Sequence, residues 1–421
     1  MAAVTESVKE LLTGLPVRRG ALLVVALATA GACAAGGGSS AEPSFAVTVD
    51  AGEYDRFAVP VEFELPAGVQ AGEYQLRAPD GRIYPLQAGP DGRAFFVLDS
   101  LAASETVELV LEPGTAALDG VAARRDSATV TLSVDGRTVL RYHAAITDPP
   151  RPDIDPVYRR GGYVHPILTP EGVMVTGDYP PDHLHHHGIW AAWTRAVFQG
   201  EEVDFWNVAD RKGDVLPVAL DSAWGGPVFG GFSARHRYVA LTGEQPRDAL
   251  NERWTLRVYN VTGHERPYWL FDLEVEQHTA GDEALILPQY HYGGVAFRGR
   301  DDWYGTENAS FLTSEGRDRE SGNESRARWT HIGGTAEGAL RGVAVLSHPQ
   351  NFRHPEPVRI HPREPYFVYA PSQLGEWSIE PAQELRLRYR YVVHDGAPDA
   401  AELDRIWNDF AHPPTVTVAP R

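Results

Sequence analysis

The stretch ELRLRYRYVVH, residues 384–394, alternates without a break. Leu385, Leu387, Tyr389 and Tyr391 fall on one side, and Arg386, Arg388 and Arg390 on the other. Successive side chains of an extended chain point to opposite faces, so this pattern predicts an antiparallel strand with one covered face. A slip of one residue would turn the whole apolar set outward, which leaves little freedom in register. Long strands are also expected at NERWTLRVYNVT (251–262) and YWLFDLEVEQH (268–278), and short ones at VPVEFEL (59–65), TVELVLEPG (106–114) and ATVTLSVDGRTVLRYHA (128–144). Asp80-Gly81 and Asp135-Gly136 sit between such runs as hairpin signals. Forty-one glycines and thirty-two prolines supply the turns that so many strands require.

Only DAAELDRIWNDFAHPP (399–414) reads as a convincing helix, with Leu403, Ile406, Trp407 and Phe410 at helical spacing and a proline stop. The predicted fold class is all-β: a small N-terminal β-sandwich over 42–147, a large antiparallel β-sandwich over 148–421, and a short C-terminal helix. Between the two, ITDPPRPDIDP (146–156) holds four prolines and three aspartates and reads as a stiff boundary.

Residues 1–41 read as a lipoprotein signal and flexible tether. The apolar run ALLVVALATA follows Arg18 and Arg19 and leads into Ala30-Gly31-Ala32-Cys33, which resembles a bacterial lipobox with alanine where leucine is usual. Cys33 is the lipidation candidate, and AAGGGSSAEPS after it is the tether. Residues 1–16, with Glu6 and Glu10, are long for such a signal and point to a start near Val17. Cys33 is also the chain's single cysteine, so thiol catalysis, cysteine-zinc sites and intrachain disulfides are excluded. The expected location is extracytoplasmic, at the periplasm or cell surface, with membrane contact only through the lipid anchor. A formal charge of −19, with no basic run along the folded part, argues against nucleic acid as a partner.

Four of the sixteen histidines crowd into DHLHHHG, as His183, His185, His186 and His187. In a regular strand His183, His185 and His187 would share a face. His-x-His is a recognised spacing for neutral imidazoles to hold zinc, copper or iron, and His183 with His185 is the candidate pair. Three such histidines reach one ion only if the strand bends, for which Pro180, Pro181 and Gly188 leave room. A metal site, a metal-free catalytic cluster and a structural cluster all remain open from chemistry alone. Trp190, Trp193, Phe205 and Trp206 follow nearby with Asp204, a composition suited to the C–H face and hydroxyls of a sugar. A second cluster, YHYGGVAFRGRDDWYG, carries His291, Tyr292, Arg298 and Trp303, with Gly293-Gly294 allowing a bulge or close backbone approach. A third, SHPQNFRHPEPVRIHPREPYF, spaces His348, Arg353, His354 and His361 among prolines.

The ordered set YVHPILTPEGVMVTGDYPPDHLHHHGIW, VDFWN, YHYGGVAFRG and HPQNFRHPEP resembles the PmoA-like family of secreted bacterial proteins, also styled methane oxygenase PmoA or DUF6807, from about Arg160 to His394. The family motif looks like D-H-x-H-H-x-G, matched here by His183, His185, His186 and Gly188, with His187 at a variable position. The resemblance implies a galactose mutarotase-like supersandwich and a carbohydrate setting. A methane monooxygenase subunit, as the name implies, is a bundle of membrane helices, whereas this chain has no apolar run of about eighteen residues or more.

The leading expectation is an enzyme acting on a carbohydrate or glycoside by lyase, hydrolase or epimerase chemistry, with or without a divalent metal, beside sugar-processing partner enzymes. His183, His185, His186 and His291 would supply base, acid or metal ligation, Tyr292 a proton, and Arg298 a hold on an anionic oxygen. Trp190, Trp206 and Trp303 would stack on sugar rings, with Asp204, Arg353 and His348 as further binding groups. The alternatives are a non-catalytic glycan-binding lipoprotein and, as the family name implies, a copper-dependent oxygenase.

Overall fold

The computed structural model describes residues 44–89, 92–114, 120–261 and 266–421; the expected signal, tether and Cys33 lie outside them. The alternating stretch becomes the strand Leu385–Asp395, inside an eight-stranded antiparallel sheet between Tyr268–Thr279 and Ala339–Ser347. Leu387, Tyr389 and Tyr391 are buried, as the period predicts. They face a second, nine-stranded sheet: Tyr389 stacks on Tyr369 with ring centroids 5.3 Å apart, and the Tyr369 hydroxyl donates across the gap to the Val345 carbonyl at 2.6 Å. Each large apolar side chain withdrawn from water in this interior contributes about 1.5–3 kcal/mol.

A buried polar chain also crosses between the sheets. The Tyr142 hydroxyl, on the nine-stranded sheet, lies 2.7 Å from Nε2 of His236 on the other, and His236 Nδ1 lies 2.6 Å from Oε2 of Glu252. Gln277 donates to Oε1 of Glu252 at 2.6 Å and accepts from Trp193 Nε1 at 2.8 Å. Groups buried this deeply are tolerable because each has a partner, and those partners fix the sheets in one relation.

The all-β expectation, with its single substantial helix at Ala400–Ala411, agrees with the structure. Asp399 caps that helix through the amides of Ala401 and Glu402, and Leu403, Ile406 and Trp407 are buried beneath it. The arginine side of Leu385–Asp395 departs from the expected solvated face. Helix and N-terminal sandwich cover that side of the eight-stranded sheet, so Arg390 is buried and donates twice to Asp272, at 2.8 and 2.9 Å.

The boundary at 147/148 is corrected by the topology. Val121–Arg125, Thr129–Val134 and Arg137–His143 belong to the nine-stranded sheet, and 146–156 merely loops between its neighbouring strands Arg137–His143 and Tyr163–Ile167. Proline-rich composition reports a stiff loop equally well within a sheet. The small sandwich is also completed from the far end of the chain, because Thr415–Pro420 pairs with Phe45–Asp50. The turns at Asp80-Gly81 and Asp135-Gly136 form as expected, the second with φ of 48° and 76°.

Arg56 of the sandwich is buried against Asp409 of the helix at 3.1 Å and also donates to the Ala51 carbonyl. Truncating one partner of such a pair strands the other charge. Asp409→Ala is expected to lower the unfolding free energy by about 3 kcal/mol, read from urea denaturation; an unchanged midpoint would show the contact to be dispensable.

Candidate functional site

Three neighbouring strands of the nine-stranded sheet build the floor of a pocket from their alternate residues. Trp190 pairs with Ala296 and Ala192 with Gly294; Ala296 pairs with Val368 and Arg298 with Tyr366. The intervening residues, such as Tyr369, point toward the eight-stranded sheet, so this floor lies on the opposite, outer face. Ala192, Gly294 and Ala296 keep the floor low while Trp190 and Tyr366 rise at its sides, leaving a pocket of about 220 Å³. Gly294 is required: a Cβ there would sit 2.3 Å from the Tyr369 carbonyl oxygen, and its φ is +136°. The close approach expected at Gly293-Gly294 is thereby located.

The histidine segment forms turns rather than a strand. His183 N–H donates to the Pro180 carbonyl, His186 N–H to the His183 carbonyl at 2.8 Å, and Tyr179 N–H to the His186 carbonyl. This folding breaks the two-residue period and sends His183, His185 and His186 to the pocket wall, with ring centroids 4.6 to 5.5 Å apart. His187 turns the other way. Fully buried, it stacks on Tyr163 and holds Nδ1 2.5 Å from Asp178, so its position braces the loop from beneath.

The centre of the arrangement is Glu364. Its Oε2 lies 2.5 Å from Nη1 of Arg298 and 3.0 Å from Nδ1 of His183, while Oε1 lies 3.5 Å from Nε2 of His361. The His183 contact is off the line of a well-directed hydrogen bond and acts as an ion pair. Burial pushes the Glu364 carboxyl up, but His183 and Arg298 together outweigh it and hold the group below the ordinary carboxylate value. The contact with Glu364 in turn raises His183, against the pull of burial. Burial does the reverse to the neighbours: it takes His185 down to about 3, His361 to about 4, and His186 well below its ordinary value. An imidazole shifted toward its protonated form thus stands among neighbours shifted toward the neutral one, beside an ionised carboxylate, the separation that acid/base work uses.

The structure joins seven of the expected site residues, His183, His185, His186, Trp190, Trp206, His291 and Tyr292, in the wall of this pocket. Trp190 stacks on Trp206 at 4.2 Å, and His291 is on the exposed rim. Burial raises the Tyr292 hydroxyl, which suits it to hydrogen bonding rather than to giving up its proton. Arg298 stands behind Glu364, fully buried, and therefore holds that carboxylate instead of a ligand oxygen.

Four other expectations are corrected. Asp204 accepts from the amides of Trp206 and Asn207 and from the Asn207 side chain, so it shapes the turn that presents Trp206. Trp303 is fully buried and donates to the Thr335 carbonyl. Arg353 donates to the carbonyls of Pro371, Gly375 and Glu376. His348 belongs to a different cleft, against Arg388. In each case local hydrogen bonding or packing uses the polar or aromatic group that composition alone offers to a ligand.

Glu364, Tyr366, Asn207 and Arg359 are site residues the sequence reading passed over, and His361 it named without a role. HPREPYF carries three of them, but its prolines suggest only an extended connection. Arg319 gives that connection its shape by donating to the carbonyls of His361, Glu364, Gly305 and Ala309.

For a metal, the one three-ligand group among the described residues is Asp182, His183 and Glu364, with ligating atoms within 4.8 Å of one another; His185 is not part of it. Arg298 already sits beside both carboxylates, 3.5 Å from Asp182, and supplies the positive charge they call for. The donor set therefore fits a guanidinium-braced acid/base pair better than the expected His183–His185 ion site.

Residues 129–408 match the model of a family of unknown function, DUF6807. No curated protein matches the chain. Among solved structures, a galactose mutarotase-related enzyme from Lactobacillus acidophilus aligns at 10% identity over 66% of this chain and 99% of its own, with a TM-score of 0.25, too low to carry substrate or activity across. Among the described residues no helix is long and apolar enough to cross a membrane.

The buried neutral histidines give stability a definite pH dependence. Their unfolded forms take up protons near pH 6.5, whereas burial holds His185 and His348 at about 3 and His165, His354 and His361 at about 4 in the fold. As pH falls below 6.5 the unfolded state binds the more protons, so stability present above that value is lost on the way down. Asp178, pushed up to about 6 by burial, works in the opposite direction, as do the raised His183 and the burial-raised carboxyls of Asp214, Glu274, Asp301, Glu356, Glu402 and Asp409, but the lowered histidines outnumber them. Urea unfolding at about pH 5 is expected to give a lower free energy than at about pH 7; equal or greater stability at the lower pH would contradict the burial of neutral imidazoles.

Proposed function

We propose, for a chain that belongs to the DUF6807 family of unknown function, that the His183–Glu364 pocket moves a proton on a carbohydrate or glycoside. The observation that carries this reading is the buried Glu364 carboxylate, kept ionised by Arg298 and His183 at the edge of an aromatic-walled pocket. His183 is the acid, its protonated form favoured by Glu364. His185, left neutral by burial, is the base. A pocket of about 220 Å³ is smaller than the ~300–1,000 Å³ of drug-sized sites and suits a single ring. Trp190 and Trp206 give that ring an apolar face, and Asn207 and Tyr292 offer polar contacts to its hydroxyls. Epimerase or lyase chemistry at a carbon beside a carbonyl, or at the anomeric carbon, needs this pairing of a proton donor with an acceptor. A retaining or inverting glycosidase would instead need two flanking carboxyl groups, and Glu364 is the one carboxylate buried here.

The same reading places the chain outside the cytoplasm, lipidated at Cys33, on the sequence signal alone. A non-catalytic glycan-binding lipoprotein would use the same pocket for capture. The copper chemistry that the name PmoA implies calls for several imidazole nitrogens converging on one point, whereas the three-ligand group holds one nitrogen and two carboxylates.

Incubating the protein with a panel of aldoses, ketoses and oxidised glycosides in deuterated water, followed by NMR, tests the proposal. Solvent deuterium should enter at one carbon if the chemistry lies beside a carbonyl, and the anomer signals of a reducing sugar should equilibrate faster if it lies at the anomeric carbon; Glu364→Gln should slow either by about 10²- to 10⁴-fold. Saturable binding with neither deuterium exchange nor faster anomer equilibration would favour the glycan-binding alternative. The rate is expected to persist above pH 6.5 and then fall as His183 loses its proton at its raised pKa; a rate still rising through that range would assign the acid elsewhere.

A further inference from the structure

Arg359 reaches the same pocket and has no role in the acid/base pair. It lies on the strand Glu356–Ile360, directly opposite Val368, and so shares the outer face with the pocket floor. Its side chain lines the pocket beside His291, His361 and Tyr366. It also lines a larger groove of about 820 Å³, bounded by Phe311, Asn323 and Ile360 and by the carboxylates of Glu307, Asp318 and Glu320. Arg359 is therefore the side chain common to the small pocket and the groove next to it.

The two arginines near the pocket are in opposite situations. Arg298 is matched by Glu364 at 2.5 Å and Asp182 at 3.5 Å. Arg359 donates through Nη1 to Oδ1 of Asn323 at 3.0 Å, and among the described residues no carboxylate forms an ion pair with it. A half-buried guanidinium paired only with a neutral amide keeps its charge and most of its donor fork unused, and that fork matches a carboxylate. The chain's formal charge of −19 works against any anion at long range, so an anion held here has to be held by a local cation. A phosphate would call for a second free cation, whereas Arg319, which lines the same groove, spends its donors on the carbonyls of His361, Glu364, Gly305 and Ala309.

We propose that the ligand is a sugar acid, a uronate or aldonate whose carboxylate is anchored by Arg359, with any further residue of a glycoside extending into the adjoining groove. This deepens the carbohydrate reading and rests on it. The role expected of Arg298, holding an anionic group of the ligand, passes to Arg359.

Isothermal titration of the purified protein with matched pairs tests the proposal: methyl glucuronoside against methyl glucoside, methyl galacturonoside against methyl galactoside, and gluconate against glucitol, with glucose 6-phosphate alongside. At least one acid should bind about tenfold or more tighter than its neutral partner, the increment expected of a charged hydrogen bond. Arg359→Gln should remove that preference, bringing each acid to about the affinity of its neutral partner, and Arg359→Lys should retain part of it. An unchanged melting temperature identifies the Gln variant as folded. Neutral sugars binding as well as the acids, a preference that survives Arg359→Gln, or tightest binding of the phosphate would overturn the sugar-acid assignment while leaving the carbohydrate reading standing. Binding of no sugar of any kind would instead overturn the carbohydrate reading and this assignment with it.

Discussion

The pocket depends on one buried ion pair, Arg298 with Glu364. A carboxylate withdrawn from water ordinarily recovers its proton, and an arginine withdrawn from water is costly unless paired. Placed 2.5 Å apart, each makes the other tolerable. Arg298 ends a floor strand, and its backbone accepts from the Gly177 amide and donates to the Gly188 carbonyl on either side of the histidine turns. The same residue thus fixes the charge of Glu364 and the position of the loop that carries His183, His185 and His186. The ionised carboxylate then shifts His183 toward its protonated form, and burial shifts its neighbours toward the neutral one.

The rest of the fold serves to hold that arrangement still. The face of the nine-stranded sheet opposite the pocket packs on the eight-stranded sheet through Tyr369 and Tyr389, and a polar chain from Tyr142 to Trp193 crosses the interior. Trp193 follows directly on the strand that carries Trp190, so the pocket wall is anchored from within. Small residues on two adjacent strands create the hollow, and segments 180–188, 204–207, 290–293 and 359–366 enclose it.

Strands and the helix were legible in the sequence because their signal is periodic and local. Tyr389 and Tyr391 had to turn inward, and Leu403, Ile406 and Trp407 had to share a helix face. The histidine turns were partly legible: Pro180, Pro181 and Gly188 suggested a bend, and the ordered motifs selected His183, His185 and His186. What the sequence concealed was partnership across the sheet. Glu364 meets Arg298 from a proline-rich segment 66 residues away, and no local pattern marks it. Asp204, Trp303, Arg353 and His348 mislead for the converse reason, since a nearby amide, carbonyl or guanidinium already uses each of them. The domain boundary failed likewise, because Thr415–Pro420 returns to the N-terminal sheet and strands before residue 147 join the second one.

The most direct measurement of the central claim is the imidazole titration of His183 by NMR, in the wild-type chain and in Glu364→Gln. The account predicts a pKa above the ordinary 6.5 in the wild type and a clear fall when the carboxylate is replaced by an amide. A His183 that titrates at or below 6.5, or that is indifferent to the substitution, would contradict it.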